Sequence, residues 1–216
     1  MKFEIRQPSP ALTFTQTPQR RTRTARIIIH HYHHERATPQ DVHRWHLNNG
    51  WIGFGYNIAV DMDGTIWDGR GLDGIGAHVA NHNSDSIGIA CQGRYDDHTQ
   101  QMPDAQFNAL VWLIKYIRCI YGDIPILRHR DVAATACPGR HFPWGELQRL
   151  EYRGDVGIAD PDPSVAIDVF GDVLDISGYI KDGRTMVWLA DIAKAMGYSA
   201  TWDEERRIPV VRRIQN

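Results

Sequence analysis

Apolar positions along this chain fall into short β-branched runs separated by polar, glycine-rich stretches, and in two places they shift to a helical stripe. Ala25 to Ile29 is an unbroken apolar run apart from Arg26, which suits a central strand buried on both faces. Ser86-Ile87-Gly88-Ile89-Ala90-Cys91 reads the same way, and Pro125-Ile126-Leu127 as a shorter strand. Trp51 to Val60 carries another strand signal, Asp61-Met62-Asp63-Gly64-Thr65 is a hairpin turn, and Ile66-Trp67 begins the returning strand. Thr38 followed by Pro39 opens a helix as N-cap and first-turn proline, and Val42, Trp45 and His46 recur at helical spacing before Asn48-Asn49-Gly50. The longer stripe, Phe107, Leu110, Val111, Ile114, Ile117, Cys119 and Ile120, predicts a core helix from Asp104 to Tyr121 closed by Gly122. Strands alternating with helices predict an α/β fold with one mixed central β-sheet flanked by helices. Residues 1–25 read as an irregular arm with a short strand near Leu12-Thr13-Phe14.

The character changes near Asp155. Asp160-Pro161-Asp162-Pro163-Ser164 resists both helix and sheet and reads as a linker over 156–164. Beyond it, Ala166 to Leu174 and Gly178-Tyr179-Ile180 predict short strands, Thr185 to Met196 an amphipathic helix ended by Gly197, and Ser199 to Trp202 with Ile208 to Val211 a closing hairpin. The expected organisation is a domain over 1–155 with its core at about 24–145, the linker, and a small α+β module over 165–216, near the lower size limit for independent folding.

With 216 residues and 42% hydrophobic content, the chain can build one full core and a small appendage. A net charge of −2, with only Arg20, Arg21, Arg23 and Arg26 grouped, argues against nucleic acid as a partner. No apolar run approaches the roughly 20 residues of a membrane span, so no membrane insertion is expected. Met1-Lys2-Phe3-Glu4-Ile5-Arg6 lacks the apolar stretch of a secretion signal, so synthesis in the cytoplasm is expected. Three cysteines are too few for a disulfide framework; Cys91 and Cys119 read as small buried hydrophobes rather than as a bonded pair.

The third cysteine carries the chemistry. His129 and Cys137 stand eight residues apart on a stretch too rich in small residues and proline for one helix, so a loop can turn both toward one point. Imidazole and thiolate are zinc ligands, and a catalytic zinc needs three protein ligands and an open position. The end of the first strand, where His30 and His31 sit, is the best source of the third. The absence of His-Glu-x-x-His removes the commonest helical zinc hydrolase pattern. His33, His34, His43, His46, His98 and His141 read as surface or hydrogen-bonded histidines.

Six motifs in order carry a resemblance: Ile29-His30-His31, Gly55-Tyr56-Asn57, Gly69-Arg70-Gly71, Gly76-Ala77-His78, Asn83 with Ser86-Ile87-Gly88-Ile89, and His129-Arg130-Asp131 with Cys137-Pro138-Gly139. Over about residues 24–145 the chain resembles the zinc-dependent type-2 N-acetylmuramoyl-L-alanine amidases, which include bacteriophage endolysins and peptidoglycan recognition proteins. The resemblance implies Zn2+ as cofactor, held by His30, with His31 as the immediate alternative, and by His129 and Cys137. It implies catalytic roles for Tyr56 and Thr135, substrate contacts for His78 and Asn83, and bacterial peptidoglycan as the partner. The implied reaction is hydrolysis of the amide between N-acetylmuramic acid and L-alanine. Without an export signal, the implied setting is a phage or prophage endolysin released to the wall by a separate permeabilising protein. The tail, with Gly178-Tyr179-Ile180-Lys181-Asp182-Gly183 and Ala190-Asp191-Ile192-Ala193, resembles the small domain named from copper amine oxidase N-termini. It contains neither His nor Cys for copper; wall attachment and homodimerisation are its two expected uses. Two rival readings stand beside this one, a non-catalytic peptidoglycan-binding protein and a peptidase pairing Cys137 with His129.

Overall fold

A computed structural model of the chain describes residues 3–96, 100–154, 157–161, 164–169, 172–181, 184–187, 198–203 and 208–213. The chain divides into two compact units, Met1–Asp160 and Pro161–Asn216. In the first, β1 (Ile5–Arg6), β2 (Arg26–His31), β3 (Ile58–Val60), β4 (Ile66–Asp68), β5 (Ser86–Cys91) and β6 (Ile126–Arg128) form one sheet in the order β1-β4-β3-β5-β2-β6. Only β3 and β4 pair antiparallel, as a hairpin; the other neighbours run parallel, which makes the sheet mixed as expected.

The central strand β2 is buried along Ile27–His31, and alternation divides its side chains between the two faces. Ile27 and Ile29 pack with Ile87, Ile89 and Cys91 of β5 against α2 (Asp104–Tyr121), whose inward stripe is Phe107, Leu110, Val111, Ile114 and Ile117. On the other face Ala59 and Ala90 pack with Phe54, Tyr32 and Val42, the last from α1 (Pro39–Asn48). His30 stands in register with Ala90, and Ala90 with Ala59, so small side chains flank the imidazole across the sheet. Helix α1 begins as its sequence predicts: Thr38 accepts from the Asp41 amide while the Asp41 carboxylate accepts from the Thr38 amide.

Several expectations need correction. The strand expected over Trp51 to Val60 is confined to Ile58–Val60. Residues 51–57 instead wrap the end of α1, where the Phe54 and Gly55 amides donate to Nδ1 of His43 and His46, both at 2.9 Å. A side chain at Gly55 would meet the Ala77 carbonyl oxygen at 2.5 Å, so the close backbone approach there excludes a regular strand. No strand forms near Leu12-Thr13-Phe14; the Pro10 and Thr13 carbonyls accept from Gln40 and His43 side chains on α1. Cys119 is exposed, because it falls off the α2 stripe that ends in Ile114 and Ile117; Cys91 is buried with a free thiol, so the two are not joined.

In the second unit, β7 (Ser164–Val169), β8 (Asp172–Lys181) and β9 (Arg184–Val187) form an antiparallel three-stranded sheet. Strands β10 (Tyr198–Asp203) and β11 (Ile208–Arg213) form the expected closing hairpin. The helix expected from Thr185 to Met196 does not begin there, since Thr185 to Val187 pair with Gly178 to Ile180 of β8. The sequence Asp182-Gly183 is itself a two-residue hairpin signal, and it outweighs the helical spacing that follows. The rest of that expected helix, 188–196, lies outside the described residues.

Two substitutions separate core packing from capping. Leu110→Ala, inside the α2 stripe, should lower unfolding free energy by about 2–5 kcal/mol. Thr38→Ala should cost about 0.5–2 kcal/mol. Denaturant titration of each variant measures both, and a capping variant more damaging than the core variant would contradict this ranking.

Candidate metal centre and catalytic site

The parallel register of β2 and β6 sets Ile29 opposite Arg128, so the residue after each, His30 on β2 and His129 just past β6, emerges at the same end of the sheet. Their rings lie 4.6 Å apart between centroids. After β6 the chain makes a short 3-10 turn over His129–Asp131, fixed by the Asp131 carboxylate, which accepts from the Arg128 amide at 2.8 Å and pairs with its guanidinium at 2.7 Å. The loop then folds back: the Arg130 amide donates to the Cys137 carbonyl, and the Cys137 amide donates to Thr135 Oγ1 at 3.2 Å. Gly139, at φ 104°, lies against the Tyr95 backbone so closely that a Cβ would sit 2.3 Å from the Tyr95 carbonyl carbon.

This folding brings one ligand atom each from His30, His129 and Cys137 to within 4.8 Å of one another, the one such group of three or more His, Cys, Asp or Glu among the described residues. Nδ1 of His30 lies 3.8 Å from Cys137 Sγ. Tetrahedral zinc with nitrogen and sulfur ligands needs about 3.3–3.8 Å between donor atoms. His30 is buried, whereas His129 and Cys137 are half-buried, so the cluster has a closed floor and an open side. Two imidazoles, one thiol and one open side fit a catalytic zinc, and among the described residues no fourth His, Cys, Asp or Glu joins the cluster, as a structural zinc would need.

The electrostatics agree with ligation. Burial, with His78 and His129 nearby, pushes His30 well below the usual imidazole value, and burial also lowers His129. Both rings therefore offer a neutral lone pair at neutral pH. Burial raises the Cys137 thiol to about 11, so without a cation the sulfur stays protonated. A nucleophilic cysteine needs the opposite shift.

The histidine doublet resolves by alternation. His31 points to the opposite face, where its Nδ1 accepts from the Tyr95 amide at 3.2 Å and its Nε2 lies 3.8 Å from Asp96. The Tyr56 ring sits 5.1 Å from that of His30. Burial and the Cys137 charge raise its phenol above the ordinary value, which keeps the proton available for donation. Thr135 is exposed, with its oxygen engaged by the Cys137 amide.

The two residues expected to touch substrate are also bonded within the protein. His78 is buried, with Nδ1 3.0 Å from Nε2 of His30. Asn83 turns its side-chain oxygen inward to accept from the amides of His78 and Val79 at 2.8 and 2.9 Å. In this structure both brace the site, His78 against the His30 ring and Asn83 through the His78 backbone. Sequence reasoning also missed His43 and His46 as acceptors for the 54–55 backbone. The signal available was the run of irregular, glycine-bearing residues 50–55 directly after α1, which leaves amides needing partners.

Comparison with known proteins supplies the family. The model for N-acetylmuramoyl-L-alanine amidase matches residues 20–140, more than half of the chain. The chain belongs to this amidase family. It is 32% identical over 126 residues to an endolysin of Enterobacteria phage K11, covering 56% of this chain and 79% of that protein. Among solved structures it is similar to the N-acetylmuramoyl-L-alanine amidase LysC from Clostridium intestinale URNW, with TM-score 0.61 and 31% identity over 63% of this chain and 91% of that one. It is also similar to a mutant form of Drosophila PGRP-LB in complex with tracheal cytotoxin, with TM-score 0.56 and 28% identity over 63% of this chain and 89% of that one. All six motifs lie within the matched span.

Elemental analysis of the purified chain is expected to find about one zinc per molecule, as a three-ligand site with one open position implies. Cys137→Ser and His30→Ala should each lose most of it, while His31→Ala should keep it. Zinc retained by the first two variants would place the metal elsewhere.

Proposed function

We propose that this amidase is zinc-dependent and cleaves peptidoglycan between the lactyl carbonyl of N-acetylmuramic acid and the L-alanine of the stem peptide, as a phage or prophage endolysin. The convergence of His30, His129 and Cys137 around one open position carries this reading. The likeness to a phage endolysin and to LysC supports the wall as target, and the PGRP-LB complex with tracheal cytotoxin supports peptidoglycan as the ligand class.

His30, His129 and Cys137 would hold the ion. When bound, zinc supplies a Lewis acid for the amide carbonyl and brings the pKa of water toward about 7. Tyr56, beside His30 and protonated, donates to the carbonyl oxygen as negative charge grows there. The Thr135 hydroxyl accepts the Cys137 amide through its oxygen, which leaves its proton for a second donation. Water oxygen bonds to the carbonyl carbon, the C–N bond breaks, and the proton released by water ends on the departing alanine nitrogen. No side chain becomes covalently attached to substrate.

The same proposal assigns the rest of the chain. Residues 1–155 are the catalytic domain and 156–164 the linker. Residues 165–216 are a module similar to the copper amine oxidase N-terminal-like domain, serving wall attachment or pairing of two copies. The protein acts at the wall after release from the cell in which it is made.

Mass spectrometry of purified walls after digestion is the decisive experiment. New L-alanine amino termini are expected; new reducing sugar ends, or release of peptide crosslinks alone, would refute the amidase bond. A chelator should abolish the digestion and added zinc restore it, whereas a Cys137–His129 peptidase would be indifferent to both. Tyr56→Phe should keep its zinc and lose about 10²- to 10³-fold in kcat. Bound walls without any cleavage would instead favour a recognition protein.

A further inference from the structure

Behind His30 runs a line of buried polar groups that the amidase chemistry leaves without a role. Nε2 of His30 lies 3.0 Å from Nδ1 of His78. The other nitrogen of His78, Nε2, lies 3.3 Å from Oγ of Ser86, and that hydroxyl donates to the His82 carbonyl at 2.5 Å. His30, His78 and Ser86 are all buried, so water does not compete for these protons.

With both rings neutral, the protons along this line can be arranged in one way. A carbonyl oxygen only accepts, so the single hydroxyl proton of Ser86 goes to His82. Ser86 Oγ must then accept from His78, which puts the His78 proton on Nε2 and leaves a lone pair on Nδ1. That lone pair accepts from His30, so the His30 proton is on Nε2. The remaining nitrogen, Nδ1, faces Cys137 Sγ at 3.8 Å as a bare lone pair. We infer that His78, anchored on Ser86, is a positioning residue that locks His30 in the Nε2-protonated tautomer and so keeps Nδ1 ready to ligate a divalent cation. The inference deepens the zinc amidase reading and rests on it for the identity of the ion.

The seat of the His78 ring is built for it. A Cβ at Gly76 would lie 2.3 Å from His78 Cδ2, and one at Gly88 would lie 2.5 Å from the same atom, so the ring fills space that both glycines leave open. Asn57 Oδ1 accepts from the Gly88 amide at 2.9 Å, and Asn83 holds the His78 amide. The Ser86 carbonyl accepts from the buried Arg21 guanidinium at 2.9 Å, which fixes the far end of the line.

Long-range proton–nitrogen NMR of the 15N-labelled, metal-free full chain tests the tautomer directly. His30 should show a proton on Nε2 and a bare Nδ1; a proton on Nδ1 would overturn the inference. Zinc affinity, read by competition with a chromophoric chelator, tests its consequence. His78→Leu should weaken binding by about 10- to 100-fold, the usual cost of removing a partner of a metal ligand. His78→Asn, whose Oδ1 falls near the place of Nδ1 and accepts the same proton, should bind close to wild type. Leu and wild-type chains of equal affinity, or an Asn variant as weak as Leu, would overturn it. A wild-type chain that takes up no zinc sinks the amidase reading alone, because the NMR measurement uses no metal and still decides the tautomer.

Discussion

Parallel pairing of β2 with β5 and β6 decides where the chemistry can sit. Ile27, Ile28 and Ile29 align with Ile126, Leu127 and Arg128 on one side and with Ile87, Gly88 and Ile89 on the other. Because parallel strands end at one edge, His30 and His129 are delivered together by backbone hydrogen bonds, before any contact between their side chains. The burial of Ile27, Ile28 and Ile29 keeps this register from slipping: a shift of one residue would turn His30 into the packed α2 face and an isoleucine into the site. Placing functional groups beyond the carboxyl ends of parallel strands leaves the core intact while loops supply the remaining ligand.

That arrangement places an unusual number of histidines inside. A buried imidazole is tolerated only when its nitrogens find partners. Each of those buried here has one: His31 takes the Tyr95 amide, His43 takes the Phe54 amide and faces the Thr13 carbonyl, and His78 lies between His30 and Ser86. Half-buried His46 likewise takes the Gly55 amide. The His43 and His46 rings take the amides of Phe54 and Gly55 and tie that stretch to α1, while Tyr56 and Asn57 are held by main-chain bonds to Gly69, Arg70 and Gly88. Tyr56 thereby reaches the His30 ring from a segment that is not itself a strand.

How far the sequence reveals this depends on whether a feature is periodic. The Ile27–Ile29 run, the α2 stripe and the Thr38 cap report their structures directly, since burial and hydrogen bonding repeat at the spacing of the element. The cluster of His30, His129 and Cys137 was legible because two histidines follow apolar strands and the cysteine sits on a short loop after one of them. Trp51 to Tyr56 was misread because its apolar residues serve packing from an irregular path. The inward bonds of His78 and Asn83 were not legible, because a polar residue in a glycine-rich loop looks the same whether it faces a ligand or turns inward. In the second unit, Thr185 to Val187 was misjudged as the start of a helix, where helical spacing and a hairpin dipeptide compete within a few residues.

Charge explains why the site takes this composition. Neutral imidazoles and a protonated thiol together carry no net charge, so the metal-free cluster can sit half-buried at little electrostatic cost. Ligation of a dication would displace only the thiol proton, since burial keeps the two rings unprotonated. A cluster loaded in this way would hold one net positive charge. Thr135 brings a hydroxyl and no charge, and Tyr56 is neutral, so in the proposed reaction that single positive charge would be the main electrostatic counterpart to a developing oxyanion. A second cation at position 135 would strengthen that attraction but would also repel the metal. In this chain the loop hydroxyl instead fixes the cysteine that completes the cluster.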